Sequence, residues 1–221
     1  VNRLAHAGLY TMEDIARADE EILYKMFGID AELLIDHAWG KETTEISDIK
    51  KYKSHSTSIS NGQVLPRDYA YEEGRLIVKE MTDNMSLELV EKRYLATGMV
   101  LYLSFSRDCG YPSARGSVAF SVPTSSTREL IEYATRLYEK IMYKEAKIRR
   151  INIEFYNLIG EERQQSNLFF SPEDVEKERN LQRAMISIKK KYGKNAVLKG
   201  MNLEEGGKAI ERNRQIGGHR S

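Results

Sequence analysis

Apolar residues recur at every second position in two neighbouring stretches, and that period limits the possible folds more than any other feature of the chain. Met99, Leu101, Leu103 and Phe105 alternate through 99–106, and Val118, Phe120 and Val122 through 117–122. Such a period marks a strand with one face buried and one face wet. Between the two runs, Arg107-Asp108-Cys109-Gly110-Tyr111-Pro112-Ser113 has the Gly and Pro of a hairpin loop. The opposite face offers Tyr102, Ser104, Ser106, Arg115, Ser117 and Ser121, a polar, hydroxyl-rich surface without an acid. It is the first candidate for function.

The flanking segments complete a fold around this hairpin. Ile77, Val78, Met81, Met85 and Leu89 form one side of an amphipathic helix over 71–93. Leu130, Ile131, Ala134, Leu137, Tyr138 and Ile141 do the same for a second helix, with Thr127 as its N-cap. A last strand over 148–158 buries Ile151, Ile153 and Phe155 and exposes Arg150, Asn152, Glu154 and Tyr156. The first strand is unusual, because serines stand at every second place (Ser54, Ser56, Ser58, Ser60) until Pro66-Arg67-Asp68 breaks it. The predicted class is α+β: a β-α-β-β-α-β four-stranded antiparallel sheet over 54–160, with two helices on one face and the other face open.

The ends differ in character. Residues 1–40 read as short helices, with N-caps at Thr11 and Asp19 and glycines at Gly28 and Gly40. Ala7-Gly8-Leu9-Tyr10 ahead of the first cap has the outline of a helix-hairpin-helix, in which backbone N–H groups hold a phosphate, so Gly8 is a candidate contact. Residues 41–53 read as a linker ending in Lys50-Lys51-Tyr52-Lys53. A tail spans 161–221, with one helix opened by Pro172 and a poorly ordered end from Gly200. Because Val1 already lies in a helical stretch, the chain is expected to be part of something longer.

Charge is unevenly placed. Residues 1–48 carry four Lys+Arg against eleven Asp+Glu, net −7; residues 49–160 carry 17 against 13, net +4; residues 161–221 carry 13 against nine, net +4. In the middle segment the acids fall mainly on the helices, whereas Arg115, Arg149 and Arg150 fall on strands and Lys53 on the approach to the sheet. Base on the sheet and acid on the helices puts the positive side where phosphate could sit. The single cysteine, Cys109, excludes an internal disulfide and suggests a reducing, cytoplasmic location. No apolar run approaches the roughly 20 residues of a membrane span, and no signal peptide opens the chain.

No catalytic constellation is present. The four histidines (His6, His37, His55, His219) lack metal-ligand spacing, and neither a P-loop nor a Gly-x-Ser-x-Gly motif occurs. The chain is therefore expected to bind rather than catalyse, with no cofactor of its own. Two further classes fit the same fold: a single-stranded RNA-binding module, for which Tyr102 lacks aromatic neighbours, and a ferredoxin-like regulatory domain, for which the Arg and Ser face is too polar.

Several segments, in order, resemble one family. Ala7-Gly8-Leu9-Tyr10-Thr11-Met12-Glu13-Asp14-Ile15-Ala16 resembles the second helical hairpin in the thumb of Y-family (translesion) DNA polymerases. Lys53-Ser54-His55-Ser56 through Val64-Leu65-Pro66-Arg67-Asp68 resembles the first strand of their little finger domain. Ile188-Lys189-Lys190-Lys191-Tyr192-Gly193-Lys194-Asn195-Ala196-Val197 and the ending Gln215-Ile216-Gly217-Gly218-His219 are similar to the UmuC/DinB-like, ImpB/MucB/SamB type. The resemblance implies a role in DNA damage repair and the SOS response, as part of a DNA-directed DNA polymerase. The catalytic palm, with its carboxylates and magnesium, would precede Val1, and this chain alone would be inactive. The little finger sheet would lie in the major groove of template–primer duplex, with Gly8, Lys53, Ser54, Ser56, Ser58, Ser60, Tyr102, Ser104, Ser106, Arg115, Ser117 and Arg150 as contacts. It also implies that Gln165-Ser166-Asn167-Leu168-Phe169 docks on a sliding clamp through Gln165, Leu168 and Phe169, although Ser166 replaces an apolar residue usual there.

Overall fold

The computed structural model describes residues 2–42, 44–51, 57–163, 172–216 and 219–220. The chain divides into two compact units, residues 1–55 and 56–221.

The first unit is helical: α1 (Asn2–His6), α2 (Met12–Arg17), α3 (Glu20–Phe27), α4 (Asp30–Ala38) and α5 (Ile46–Lys51). Thr11 caps α2 as expected, in a capping box: its side chain accepts from Asp14 N at 3.1 Å and Asp14 accepts from Thr11 N at 2.8 Å. Asp19 caps α3 through Glu21 N at 2.9 Å, and Gly28, at φ +62°, ends it. Ile15, Leu23, Ala31 and Ile35 form a small core of their own. The stretch read as a linker contains α5, six residues too short to show a helical period in sequence.

The second unit runs β1 (Ile59–Tyr69), α6 (Tyr71–Lys92), β2 (Tyr94–Phe105), β3 (Ala114–Thr124), α7 (Thr127–Ile141), β4 (Ile148–Tyr156) and a short β5 (Ile159–Gly160) beside the start of β2. Strand order is β1-β4-β2-β3, all neighbours antiparallel. β1 and β2 therefore run parallel with β4 between them, and β3 and β4 parallel with β2 between them: two split β-α-β units, as predicted. The central pair is β2 and β4. The hairpin partner β3 lies on the edge.

One core holds this unit together. Met99, Leu101, Leu103, Ile151, Ile153 and Phe155 from the sheet pack on Ile77, Val78, Met81, Met85 and Leu89 of α6 and Leu130, Ala134, Leu137 and Tyr138 of α7. Each fully buried large apolar side chain contributes roughly 1.5–3 kcal/mol. Both helices thus cover the same face.

Three local expectations are corrected. β1 continues through Pro66, because β1 is an edge strand and its register is already irregular between Val64 and Tyr69, so the missing N–H of proline interrupts no ladder there. The N-cap of α7 is Ser126, whose Oγ accepts from Glu129 N at 3.3 Å. The hydroxyl of Thr127 is instead buried against Ser86 Oγ at 2.6 Å. Ser121 does not join the rows of the open face: it lies where the β2–β3 register is irregular, between Ala96 and Gly98, and its exposed side chain puts Oγ 3.3 Å from Tyr133 Oη of α7.

The tail is packed rather than poorly ordered over its described part. α8 (Pro172–Tyr192), a 3-10 turn at Gly200–Leu203 and α9 (Ala209–Asn213) all contact α6, and Gln215–Ile216 pairs with His219–Arg220 as β6 and β7. Glu178 of α8 accepts from Ser126 Oγ at 2.7 Å and Arg128 N at 3.1 Å, which places a carboxylate at the positive end of α7. Gln182 donates to Ser125 O and Thr127 Oγ1, both at 2.9 Å. Glu80, in the middle of α6 and only 3% exposed, accepts from Asn202 Nδ2 at 3.0 Å, Lys208 N at 2.8 Å and Ala209 N at 3.1 Å. The described helices of the tail lie on the helix layer.

Gly98 has a requirement of its own. A Cβ there would stand 2.3 Å from the Tyr156 ring and 2.7 Å from Val118 O. The bare backbone lets Tyr156 lie across β2 and donate to Val118 O at 3.2 Å. Gly98→Ala is expected to lower stability by about 1–3 kcal/mol, read as a shift in urea midpoint at constant m. An unchanged midpoint would mean that the ring moves aside freely.

Candidate nucleic-acid interface

Register aligns the open face in rows across the sheet. Gly62, Asn152, Tyr102 and Arg115 form one row; Val64, Arg150 and Ser104 form the next; Ser60, Glu154, Val100 and Ser117 lie on the other side. Arg115, Arg150, Ser60 and Ser117 are exposed, and Tyr102, Ser104 and Asn152 half-buried. The face therefore brings together six of the residues chosen from sequence.

A bulge raises its charge. Ser104 pairs with Arg150 but Phe105 pairs with Ile148, so Arg149 is an extra residue in β4, and both arginines are exposed. Among the described residues, no carboxylate lies within ion-pair distance of Arg115, Arg149 or Arg150. Gly62 contributes by being small: its Cβ position lies 3.4 Å from Asn152 Oδ1 and 3.9 Å from an Arg150 nitrogen, so both side chains lean over bare β1 backbone. Arg149, Asn152 and Gly62 were not among the residues chosen from sequence. The bulge that turns Arg149 outward has no signature in a two-residue period.

Other chosen residues fall elsewhere. The open face does hold one acid, Glu154, which belongs to β4 and so escaped a reading of the β2–β3 hairpin alone. Ser106 lies off the sheet, in the turn where its N–H donates to Lys147 O at 2.8 Å. Ser58 is half-buried just ahead of β1. Lys53, Ser54 and Ser56, and the clamp-like Gln165, Leu168 and Phe169, lie outside the described residues.

The glycine turn of the first unit is built differently from the expectation. Gly8 takes the left-handed φ of +75°, and the N–H groups of Ala7, Gly8 and Leu9 donate to Leu4 and Ala5 carbonyls, closing α1. Tyr10 N and Thr11 N donate to Asp14 Oδ2 at 3.0 and 2.8 Å. These bonds hold the Asp14 carboxyl below its usual range. A carboxylate thus takes donors that a phosphate would need, and Gly8 shapes the turn without offering its own amide.

The central strands also bear on RNA. Tyr102 faces Asn152 and Arg115, while Tyr156, the other tyrosine on this face of β2 and β4, sits opposite Gly98, pinned by its bond to Val118 O. The two rings are not side by side, and no stacking platform forms.

The residues that build this sheet and its two helices match a described family. The model of the impB/mucB/samB family C-terminal domain matches residues 56–168, just over half of the chain. The chain belongs to this family. Curated relatives align with the chain well beyond that domain. UvrX of Bacillus subtilis (strain 168), named for UV-damage repair, is 28% identical over 219 residues, covering 99% of this chain and 51% of UvrX. DNA polymerase IV 2 of the same organism is 27% identical, covering 99% of this chain and 52% of its own length. DNA polymerase IV of Bacillus velezensis is 25% identical over 201 residues, 90% of this chain and 47% of the relative. The chain spans about half the length of the curated relatives it matches. Among the described residues no helix is long and apolar enough to cross a membrane.

Proposed function

We propose that this chain is the duplex-holding part of a translesion DNA polymerase that acts in DNA damage repair, and that the uncovered sheet face grips template–primer phosphates without reading sequence. The observation that carries this reading is the set of three exposed guanidinium groups without an ion pair among the described residues, Arg115 and Arg150 in the rows of the uncovered sheet face and Arg149 beside them at the bulge. Around them stand Ser60, Ser104, Ser117, Tyr102 and Asn152, small or amide donors suited to phosphate and sugar oxygens. Contacts of this kind position a duplex and carry no sequence information, which suits a template with altered bases. Magnesium and the catalytic carboxylates would belong to a palm outside this chain. Family membership and the names of the relatives support the polymerase setting.

Two duplexes of unrelated sequence, titrated by fluorescence anisotropy at one salt concentration, test this. Equal affinity is expected. A preference beyond about tenfold, the worth of a good base contact, would overturn it.

The same proposal includes clamp docking by Gln165, Leu168 and Phe169. Leu168→Ala with Phe169→Ala is expected to abolish binding to a sliding clamp in surface plasmon resonance, because two buried apolar anchors supply most of the affinity of so short a peptide. Unchanged clamp affinity would remove this partner.

A further inference from the structure

The packed tail creates a second concave surface, along the outer edge of β1. The outer edge of β1, α6 and the α8–α9 segment line a groove of about 960 Å³. It holds six cations, Lys92, Lys189, Lys190, Lys194, Lys208 and Arg212, against the carboxylates Glu88, Glu91 and Glu211. Each carboxylate is already matched to a lysine: Lys92 to Glu88 at 2.6 Å, Lys190 to Glu91 at 2.7 Å and Lys208 to Glu211 at 2.7 Å. Lys189, Lys194 and Arg212 remain, with no carboxylate at ion-pair distance among the described residues.

These cations are held at a cost. Burial, with Lys199 and Arg212 acting in the same sense, keeps the Lys189 ammonium below its usual range, against the pull of Asp83. Burial also lowers Arg212, against the pull of the buried Glu80 carboxylate, and its guanidinium donates to Gln63 Oε1 at 3.3 Å, a neutral acceptor. Partly desolvated positive charges that only more distant carboxylates balance, with none in direct ion-pair contact, leave room for a further anion to stabilise them. One carboxylate would match one cation and leave two. A phosphate group, with several anionic oxygens, matches the set.

We propose that this groove binds a multiply charged phosphate through Lys189, Lys194 and Arg212, with the amides of Asn61 and Asn84 along the same wall. The phosphate is either a free polyphosphate, as in a nucleoside triphosphate, or the phosphodiester chain of a nucleic acid strand. The groove meets the sheet face at the rim of β1, where Gly62 and Val64 line it, but its three cations stand on α8, α9 and the turn between them, and the proposal does not rest on that face's assignment.

Isothermal titration of the full chain with sodium tripolyphosphate, at constant ionic strength, tests the site. Lys194→Glu, at an exposed position, and Lys189→Gln are each expected to weaken binding about tenfold, whereas Arg115→Ala leaves it unchanged. Lys194→Glu should keep the parent melting temperature, so its loss of binding is not loss of fold. A single-stranded oligonucleotide that displaces tripolyphosphate identifies the phosphodiester as ligand, and failure to displace it identifies free polyphosphate. Unchanged affinity in both groove variants, equal loss in Arg115→Ala, or citrate binding as tightly as tripolyphosphate would overturn the proposal.

Discussion

Glu80→Ala is expected to destabilise the second unit by about 3–5 kcal/mol and to free the segment 199–216 from α6. Three donors converge on this carboxylate, the Asn202 amide and the N–H groups of Lys208 and Ala209, in a place that water barely reaches. Each donor left unsatisfied costs roughly 1–3 kcal/mol. Neighbouring links limit the damage to the far end of the tail: Glu178 and Gln182 anchor α8 independently on the start of α7. Urea unfolding measures the stability loss, and hydrogen exchange at the Lys208 and Ala209 amides measures the release. A loss below about 1 kcal/mol with both amides still protected would show that the tail is held by packing alone.

Arg115→Ala combined with Arg150→Ala is expected to weaken duplex binding by about 10–100-fold near 0.1 M salt, equally for all sequences. The two side chains stand on β3 and β4 on either side of β2, so one strand of the duplex backbone cannot compensate for both losses at one point. Both are exposed and outside the core, so stability should stay within about 0.5 kcal/mol of the parent. Unaltered affinity would assign the grip to another surface, and a sequence-selective loss would show base reading.

Much of this fold was legible because α6, α7 and the strands carry clean periods: all five residues of the α6 stripe, Ile77, Val78, Met81, Met85 and Leu89, are fully buried. What escaped notice was the second buried side of α6. Glu80, Thr82, Asp83 and Ser86 look like a solvated face by residue type, yet all are buried: the tail holds Glu80 and Asp83, where Lys199 Nζ reaches Asp83 Oδ1 at 2.5 Å, and Ser86 packs on Thr127 of α7. Leu76, Leu87 and Val90, apolar yet outside the stripe, were the available signal. The Gly- and charge-rich tail hid its order, since its anchors are hydrogen bonds to distant residues and not apolar repeats. In the candidate site, alternation placed Tyr102, Ser104, Arg115, Ser117 and Arg150 together. It lost Arg149 to a bulge and Ser121 to a register shift, because both depend on pairing between strands. Strand order was equally beyond a local pattern, and with it the position of Glu154 in the middle of the face.

The dependence of duplex affinity on salt is the most direct measurement of the central assignment. With phosphates held by Arg115, Arg149 and Arg150, log K should fall against log salt with a slope of at least about −2, since each neutralised phosphate contributes about −0.9. A slope near zero would contradict a phosphate-gripping sheet face.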